Sequence, residues 1–200
     1  MLAPPDHALE LARVHGFRGH DRHRNVVYNS HGQAVLFSAG VASVVDAASG
    51  FQRFFARHTS DILCLALHPN GRVVATGQGG SSPRLFVWDS EWCGPRGAAG
   101  AGVGQGLDLL AELEVSTVRA LEAEGAVGGV QQLAFSACGR LIVAVLSDAL
   151  HTVAVWDWRT RALLAQAPGD LKDVLAVACN PYLPPYGDGP GALVTCGVKH

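Results

Sequence analysis

Residues 61–78 read DILCLALHPNGRVVATGQ, and after a short break residues 84–89 read RLFVWD. An apolar run from Ile62 ends at a His-Pro-Asn-Gly turn, a second run leads to Gly77-Gln78, and a third ends in Trp88-Asp89. The pattern returns as VQQLAFSACGRLIVAVLSD at 130–148 and HTVAVWD at 151–157, now turning at Gly139. Apolar runs of roughly four to eight residues bounded by turn residues are the pattern of strands buried on both faces. A strand unit that repeats along a chain predicts an all-β repeat architecture, since one unit alone cannot cover its own apolar faces.

Strands that close on Trp-Asp at this spacing resemble the blades of a WD-repeat β-propeller. That resemblance implies a platform for other proteins. Trp88 and Trp156 lie 68 positions apart, the difference of their numbers, whereas such repeats recur every ~40–45 residues. The excess is an insertion at 93–128, whose CGPRGAAGAGVGQG start is too glycine-rich to order itself. Its LDLLAELEVSTV portion (107–118) is expected to supply the outer strand of the first repeat, and RALEAEG a brief helical turn.

The expected organisation is a disordered start (1–8), a motif segment (9–28), a first partial blade (29–57) and a repeat at 58–92. The insertion, a repeat at 129–170 and a truncated repeat at 171–200 complete it. Within 33–56 three short strands are expected, turning near Ala39-Gly40 and Ala48–Gly50. This gives a partial propeller of about three to four blades, where closed propellers have ~4–8.

Hydrophobic residues make up 48% of the chain and charged ones 16%, which supports a packed core and not a disordered chain. A net charge of −2 gives no reason to expect nucleic acid or an acidic membrane as partner. No apolar run approaches the ~18 residues of a membrane span, and MLAPPDHALELARVHG lacks the basic start and apolar centre of a secretory signal. The 5 cysteines are scattered without a Cys-x-x-Cys pair, the pattern of reduced thiols in an intracellular protein.

Polar groups between packed sheets need partners. In WD repeats a loop His, a Ser or Thr on the second strand, an Asp in the next turn and the third-strand Trp supply them as a relay. By spacing, the first repeat offers His58, Thr76 and Trp88, with Gly79-Gly80-Ser81-Ser82 where the Asp is expected. The second offers Asp148 and Trp156, with Val145 at the Ser/Thr position and no preceding His. Together with Asp89 and Asp157 these residues are read as structural.

The N-terminal stretch LELARVHGFRGHDRHRNVVY narrows the reading. It resembles the HELP motif, L-x-L-x-x-V-x-G-[YF]-R-G-x-D-x-R-x-N, of the echinoderm microtubule-associated protein-like family. Leu9, Leu11, Val14, Gly16, Phe17, Arg18, Gly19, Asp21, Arg24 and Asn25 fill the pattern, with one extra residue before Arg24. Ala75–Gln78, Val155–Trp158 and Val174–Val177 leading to Val194–Gly197 extend the likeness collinearly over 9–200, the insertion apart.

The resemblance implies an atypical propeller to which the HELP segment contributes strands and packing. It also implies tubulin or microtubules as partners, a place in the cytoplasm on the microtubule cytoskeleton, and no cofactor. Unlike the family, this chain has no sustained heptad for a coiled coil and no basic N-terminal region. It is therefore expected to be a fragment. The competing reading is a generic WD-repeat adaptor, ciliary or signalling, with a partner other than tubulin.

Other constellations carry less. His15, His20, His23 and His31 lack the cysteine or carboxylate frame of a zinc site, so no metal is expected. The glycine-rich 97–106 run has neither G-x-G-x-x-G register nor G-K-[ST]. No serine lies in G-x-S-x-G, and no cysteine has a paired His at a recognisable spacing, so no catalytic activity is expected. Arg18, Arg22 and Arg24 with Asp21 are expected to be spent on internal ion pairs.

Overall fold

A computed structural model describes residues 11–91, 106–118, 127–182 and 191–198. The expected disordered start, the whole RALEAEG stretch (119–125) and residues 93–105 of the glycine-rich run lie outside these residues. Among them the strands form four antiparallel sheets, three with four strands and the last with two. None closes on another to complete a ring, so the fold is an open portion of a β-propeller.

The first sheet orders β1 (Val26–Tyr28), β2 (Ala34–Ser38), β3 (Val41–Val45) and β4 (Gln52–Phe55) in sequence. Only three strands were expected here, after residue 33. The fourth is β1, which pairs Val27 with Val35 and Tyr28 with Ala34. A boundary at 28/29 therefore cuts through the sheet, and the motif segment supplies its first strand. The β3–β4 turn follows from Asp46, whose Oδ1 accepts the Ala48 amide at 2.9 Å, and from Gly50 at φ +68°.

The second sheet comprises β5 (Ile62–Leu67), β6 (Val73–Gln78), β7 (Arg84–Asp89) and β8 (Leu109–Glu114). Strand β8 comes from the insertion and pairs with β7, Leu85 opposite Leu113. It enters under two backbone bonds: the Leu107 amide donates to Phe54 O at 3.1 Å and the Asp89 amide to Asp108 O at 2.9 Å. A single 3-10 turn, Val115–Thr117, follows it. The third sheet holds β9 (Val130–Phe135), β10 (Leu141–Leu146), β11 (Val153–Asp157) and β12 (Ala162–Ala167). The fourth holds β13 (Val174–Cys179) and β14 (Leu193–Gly197).

Alternation along a strand explains how the sheets stack. Successive side chains point to opposite faces, so a strand covered on both faces is apolar except where a polar group finds a partner. Strand β10, LIVAVL, shows the consequence. Ile142, Ala144 and Leu146 join a core shared with the second sheet, while Leu141, Val143 and Val145 join one shared with the fourth. Strand β6 divides likewise: Ala75 packs with the third sheet's Leu133 and Trp156, and Val74 with the first sheet's Phe37 and Phe55. Each fully buried Val, Leu or Phe contributes about 1.5–3 kcal/mol. The layers between sheets are thus the main source of stability.

The first strands of successive sheets line one side of the stack, with β5, β9 and β13 running next to each other. The motif segment ties into this arrangement at both ends. Val14 N donates to Gln52 Oε1 at 2.9 Å and Gln52 Nε2 returns a bond to Val14 O at 3.0 Å. The Arg18 amide donates to Phe37 O at 3.0 Å. Arg24 reaches 153 residues along the chain to donate to Val177 O on β13, at 3.4 Å.

Candidate functional site

The expected relay residues of the first repeat meet in one chain of hydrogen bonds at the edge of the core. Trp88, fully buried on β7, donates from Nε1 to Thr76 Oγ1 at 3.1 Å. Thr76 lies across from Phe86 on the paired strand, and its hydroxyl is 2.8 Å from His58 Nε2. His58 Nδ1 is 2.9 Å from Gln78 Oε1. Gln78 Oε1 can only accept, so the imidazole proton lies on Nδ1, facing Gln78; Nε2 is then an acceptor, and Thr76 donates its own proton to it while accepting from Trp88. The donors then run in one direction from Trp88 to Gln78 with a neutral imidazole.

Gln78 was missed from the sequence, where Gly79–Ser82 marked the place of the Asp. The last residue of β6 takes that role with an amide. Its Oε1 also accepts the Thr59 amide at 3.2 Å, and its Nε2 donates to Thr59 Oγ1 and Ser82 O, each at 3.0 Å. A carboxylate could not make the last two bonds. With no charge opposite it, burial dominates at His58 and pushes its pKa down to about 4, against the raising effect of the Gln78 bond. The ring also stands edge-on to Phe55 and Phe86, and Phe55 stacks on Trp88 at 5.1 Å and 8°.

The second repeat brings its residues together differently. Trp156 is buried among the residues between the second and third sheets. Asp148 does not reach it. The Asp148 carboxylate accepts the Thr152 amide at 2.7 Å and the Thr152 hydroxyl at 2.5 Å, holding the β10–β11 turn. The register corrects the spacing here: Val73 and Leu141 both pair with the closing aspartate, so the position of Thr76 falls on Ala144, which carries no hydroxyl, while Val145 faces the core shared with the fourth sheet.

Asp89 and Asp157, the closing residues of the two Trp-Asp pairs, perform matching tasks. Arg72 Nε donates to both Asp89 oxygens, at 2.9 and 2.8 Å, and Arg140 Nε to Asp157 Oδ2 at 2.9 Å. Each arginine follows the turn glycine and lies 17 positions before its aspartate. Burial opposes ionisation of Asp89, but the Arg72 bonds and the Glu91 amide hold its carboxyl below the usual range. Asp157 is lowered first by the Arg140 bond. Both arginines escaped the sequence reading, although Gly-Arg recurs at the same offset in both repeats.

Successive sheets are also pinned turn to turn. His68 Nε2 and Trp158 Nε1 both approach Gly139 O, at 3.0 and 2.8 Å. His68 Nδ1 accepts the Asn70 amide at 3.0 Å, which leaves Nε2 as the donor to Gly139. Between the first two sheets Ser30 N donates to Gly71 O at 2.7 Å, and Glu91 bridges Arg72 at 2.6 Å and His31 at 3.1 Å.

The HELP-pattern residues form a clasp. Gly16 and Arg24 adopt left-handed backbone, φ +82° and +52°. Asn25 Nδ2 closes the intervening loop by donating to Arg18 O. Arg18 donates to Asp21 at 2.8 Å through two nitrogens and to Asp61, at the entry to β5, at 2.8 Å. The Arg18 bond brings Asp21 down to about 2. Gly19 lies beside the Phe17 ring, Phe17 itself is exposed, and Leu11 is exposed too. Leu9 lies outside the described residues. Of the histidines, His20 stands 3.4 Å from Asp21. Among the described residues no three His, Cys, Asp or Glu side chains gather to hold a metal ion, and no helix is long and apolar enough to cross a membrane.

Comparison with known proteins agrees with this geometry. The HELP motif family matches residues 4–42, through β1 and β2 and into β3, and the WD domain, G-beta repeat family matches 50–89, from just before β4 to the end of β7. Echinoderm microtubule-associated protein-like 2 of Rattus norvegicus is 28% identical over 98% of this chain, and the protein-like 4 of Xenopus laevis 29% identical over 98%. The chain spans only 27% and 19% of their lengths. The β-propeller domain of Cps50 (Swd1) from Myceliophteria thermophila superposes on 87% of the chain and 49% of that domain's chain, with a TM-score of 0.63 at 18% identity. That likeness concerns the fold. The chain carries the HELP motif and WD-repeat propeller architecture of the echinoderm microtubule-associated protein-like family, and resembles its members over nearly all of its length.

Proposed function

We propose that the chain acts as a non-enzymatic, microtubule-associated scaffold that binds tubulin or microtubules and modulates their organisation, in the cytoplasm on the cytoskeleton. The observation that carries this reading is the collinear likeness to echinoderm microtubule-associated protein-like proteins across 98% of the chain, HELP segment included. Fold alone does not assign a partner, and WD repeats by themselves support only a protein-interaction platform.

The site geometry fits a binding role. The polar groups of the first repeat are engaged with one another, and His58 is held neutral between Thr76 and Gln78. In the clasp, Arg18 is paired with Asp21 and Asp61, and Arg24 is engaged with Val177. The charged groups of the clasp are therefore spent within the fold, where they shape the propeller.

The test is size-exclusion co-migration with soluble tubulin alongside microtubule co-sedimentation, on protein whose β-structure has been checked by circular dichroism. Folded chain that shifts with tubulin or pellets with microtubules supports the reading. Folded chain that ignores both forms overturns it and favours the generic WD-repeat adaptor.

A further inference from the structure

Two thiols sit at one end of the interface between the third and fourth sheets. The repeat places them there. At the equivalent end of the preceding interface, His68, which follows β5, sets its ring edge-on to Phe135, the last residue of β9, at 5.0 Å. One repeat further on, Ser136 follows β9 and Cys179 ends β13, the corresponding pair of positions on adjacent strands. Ser136 Oγ lies 3.4 Å from Cys138 Sγ. Ser136 Oγ already accepts the Leu141 amide at 3.0 Å, so its own proton is available to the sulfur. Cys138 is exposed on the β9–β10 turn, while Cys179 is half-buried against the core between the third and fourth sheets.

We propose that Cys138 and Cys179 form a hydroperoxide-responsive thiol pair, with Cys138 as the attacking thiol and Cys179 as the resolving one. The Cys138 thiolate attacks one peroxide oxygen; the O–O bond breaks, and the departing hydroxide takes a proton to leave as water. Cys138 is left as a sulfenic acid. The Cys179 sulfur then attacks the Cys138 sulfur; the S–S bond forms, the S–O bond breaks, and a second water leaves with the Cys179 proton. One hydroperoxide is reduced as two thiols are oxidised to one disulfide, which ties the β9–β10 turn to the end of β13.

The environments divide the roles. The Ser136 bond lowers the Cys138 pKa against the effect of burial, with help from the Arg140 amide and charge. Burial raises Cys179, and the nearby Cys138 raises it further. The exposed sulfur is thus the one that ionises first, as an attacking thiol requires. Cys64 does not compete, since it is buried and donates to Val130 O at 3.1 Å. Cys196 is exposed on β14, opposite Ala176 and not Cys179.

The experiment treats the purified chain with hydrogen peroxide near stoichiometry, then digests it without reduction and maps the peptides by mass spectrometry. The expected product is a peptide pair joined through Cys138 and Cys179, two hydrogens lighter than its parts and lost in Cys138→Ser. In Cys179→Ser, whose fold is checked by circular dichroism, Cys138 should accumulate as sulfenic acid and label several-fold more strongly with dimedone. Cys138 unmodified, over-oxidised without a crosslink, or joined to another cysteine or another molecule would overturn the proposal.

Discussion

Gly139 and His68 occupy one another's space: a Cβ built on Gly139 would lie 2.0 Å from His68 Nε2, the nitrogen that donates to the Gly139 carbonyl. The turn of the third sheet is thus shaped around a ring from the second. Gly139 also holds φ +72°, a left-handed conformation that costs an L-residue roughly 1–2 kcal/mol.

Gly139→Ala should therefore destabilise the chain by about 2–4 kcal/mol, overpacking adding to the backbone cost. Gly32 offers the comparison, because it has the same φ of +72° with nothing within 4 Å of an added Cβ. Gly32→Ala should lose only the backbone part, about 1–2 kcal/mol. Urea unfolding of both variants measures the difference. Equal losses would mean that the His68 contact contributes nothing.

A second expectation concerns acid. Burial holds His58 at about 4 in the folded chain, against an ordinary value of ~6.5. Between these values the unfolded chain binds the proton and the folded chain does not, so stability rises with pH across the window. The contribution is complete above pH ~6.5 and is lost as pH falls towards 4. His58→Asn should flatten the stability curve there. Gln78→Glu, which puts a carboxylate opposite Nδ1, should raise the His58 pKa by more than about one unit, read by NMR titration of its ring. An unchanged His58 pKa would contradict the relay geometry.

The clasp makes a third prediction. Arg24→Ala removes the bond that Arg24 of the HELP pattern donates to Val177 on β13. Amides of β13 and β14 should then exchange several-fold faster, while those of β6 and β7 stay unchanged. Hydrogen-exchange mass spectrometry reads this peptide by peptide, and uniform protection would show that the contact does not hold the last sheet.

The legible parts of the chain were those where one residue type has one job. Trp88 and Trp156 mark third strands because an indole of that size fits only a fully buried layer, and β10 is readable because both its faces are covered. Strand β1 was not legible, since Val26–Tyr28 is three residues long and both Val26 and Tyr28 are exposed, leaving no periodicity to detect. Gln78 was hidden for a chemical reason. Several side chains offer an oxygen to a histidine, and only the fold shows which oxygen is within reach. Arg72 and Arg140 stood in plain sight, but their meaning lies in a pairing across a hairpin that apolar patterning does not register.

Strand β8 is positioned by its register with β7 and by the bonds at Leu107 and Asp108. Because β8 carries its own docking contacts, the number of residues that join it to β7 enters stability through loop-closure entropy. Doubling such a connection costs only about 0.6 kcal/mol in closure entropy. An outer strand held in this way keeps its place when the length of its connection changes, so insertions or deletions between β7 and β8 are expected to leave their pairing intact.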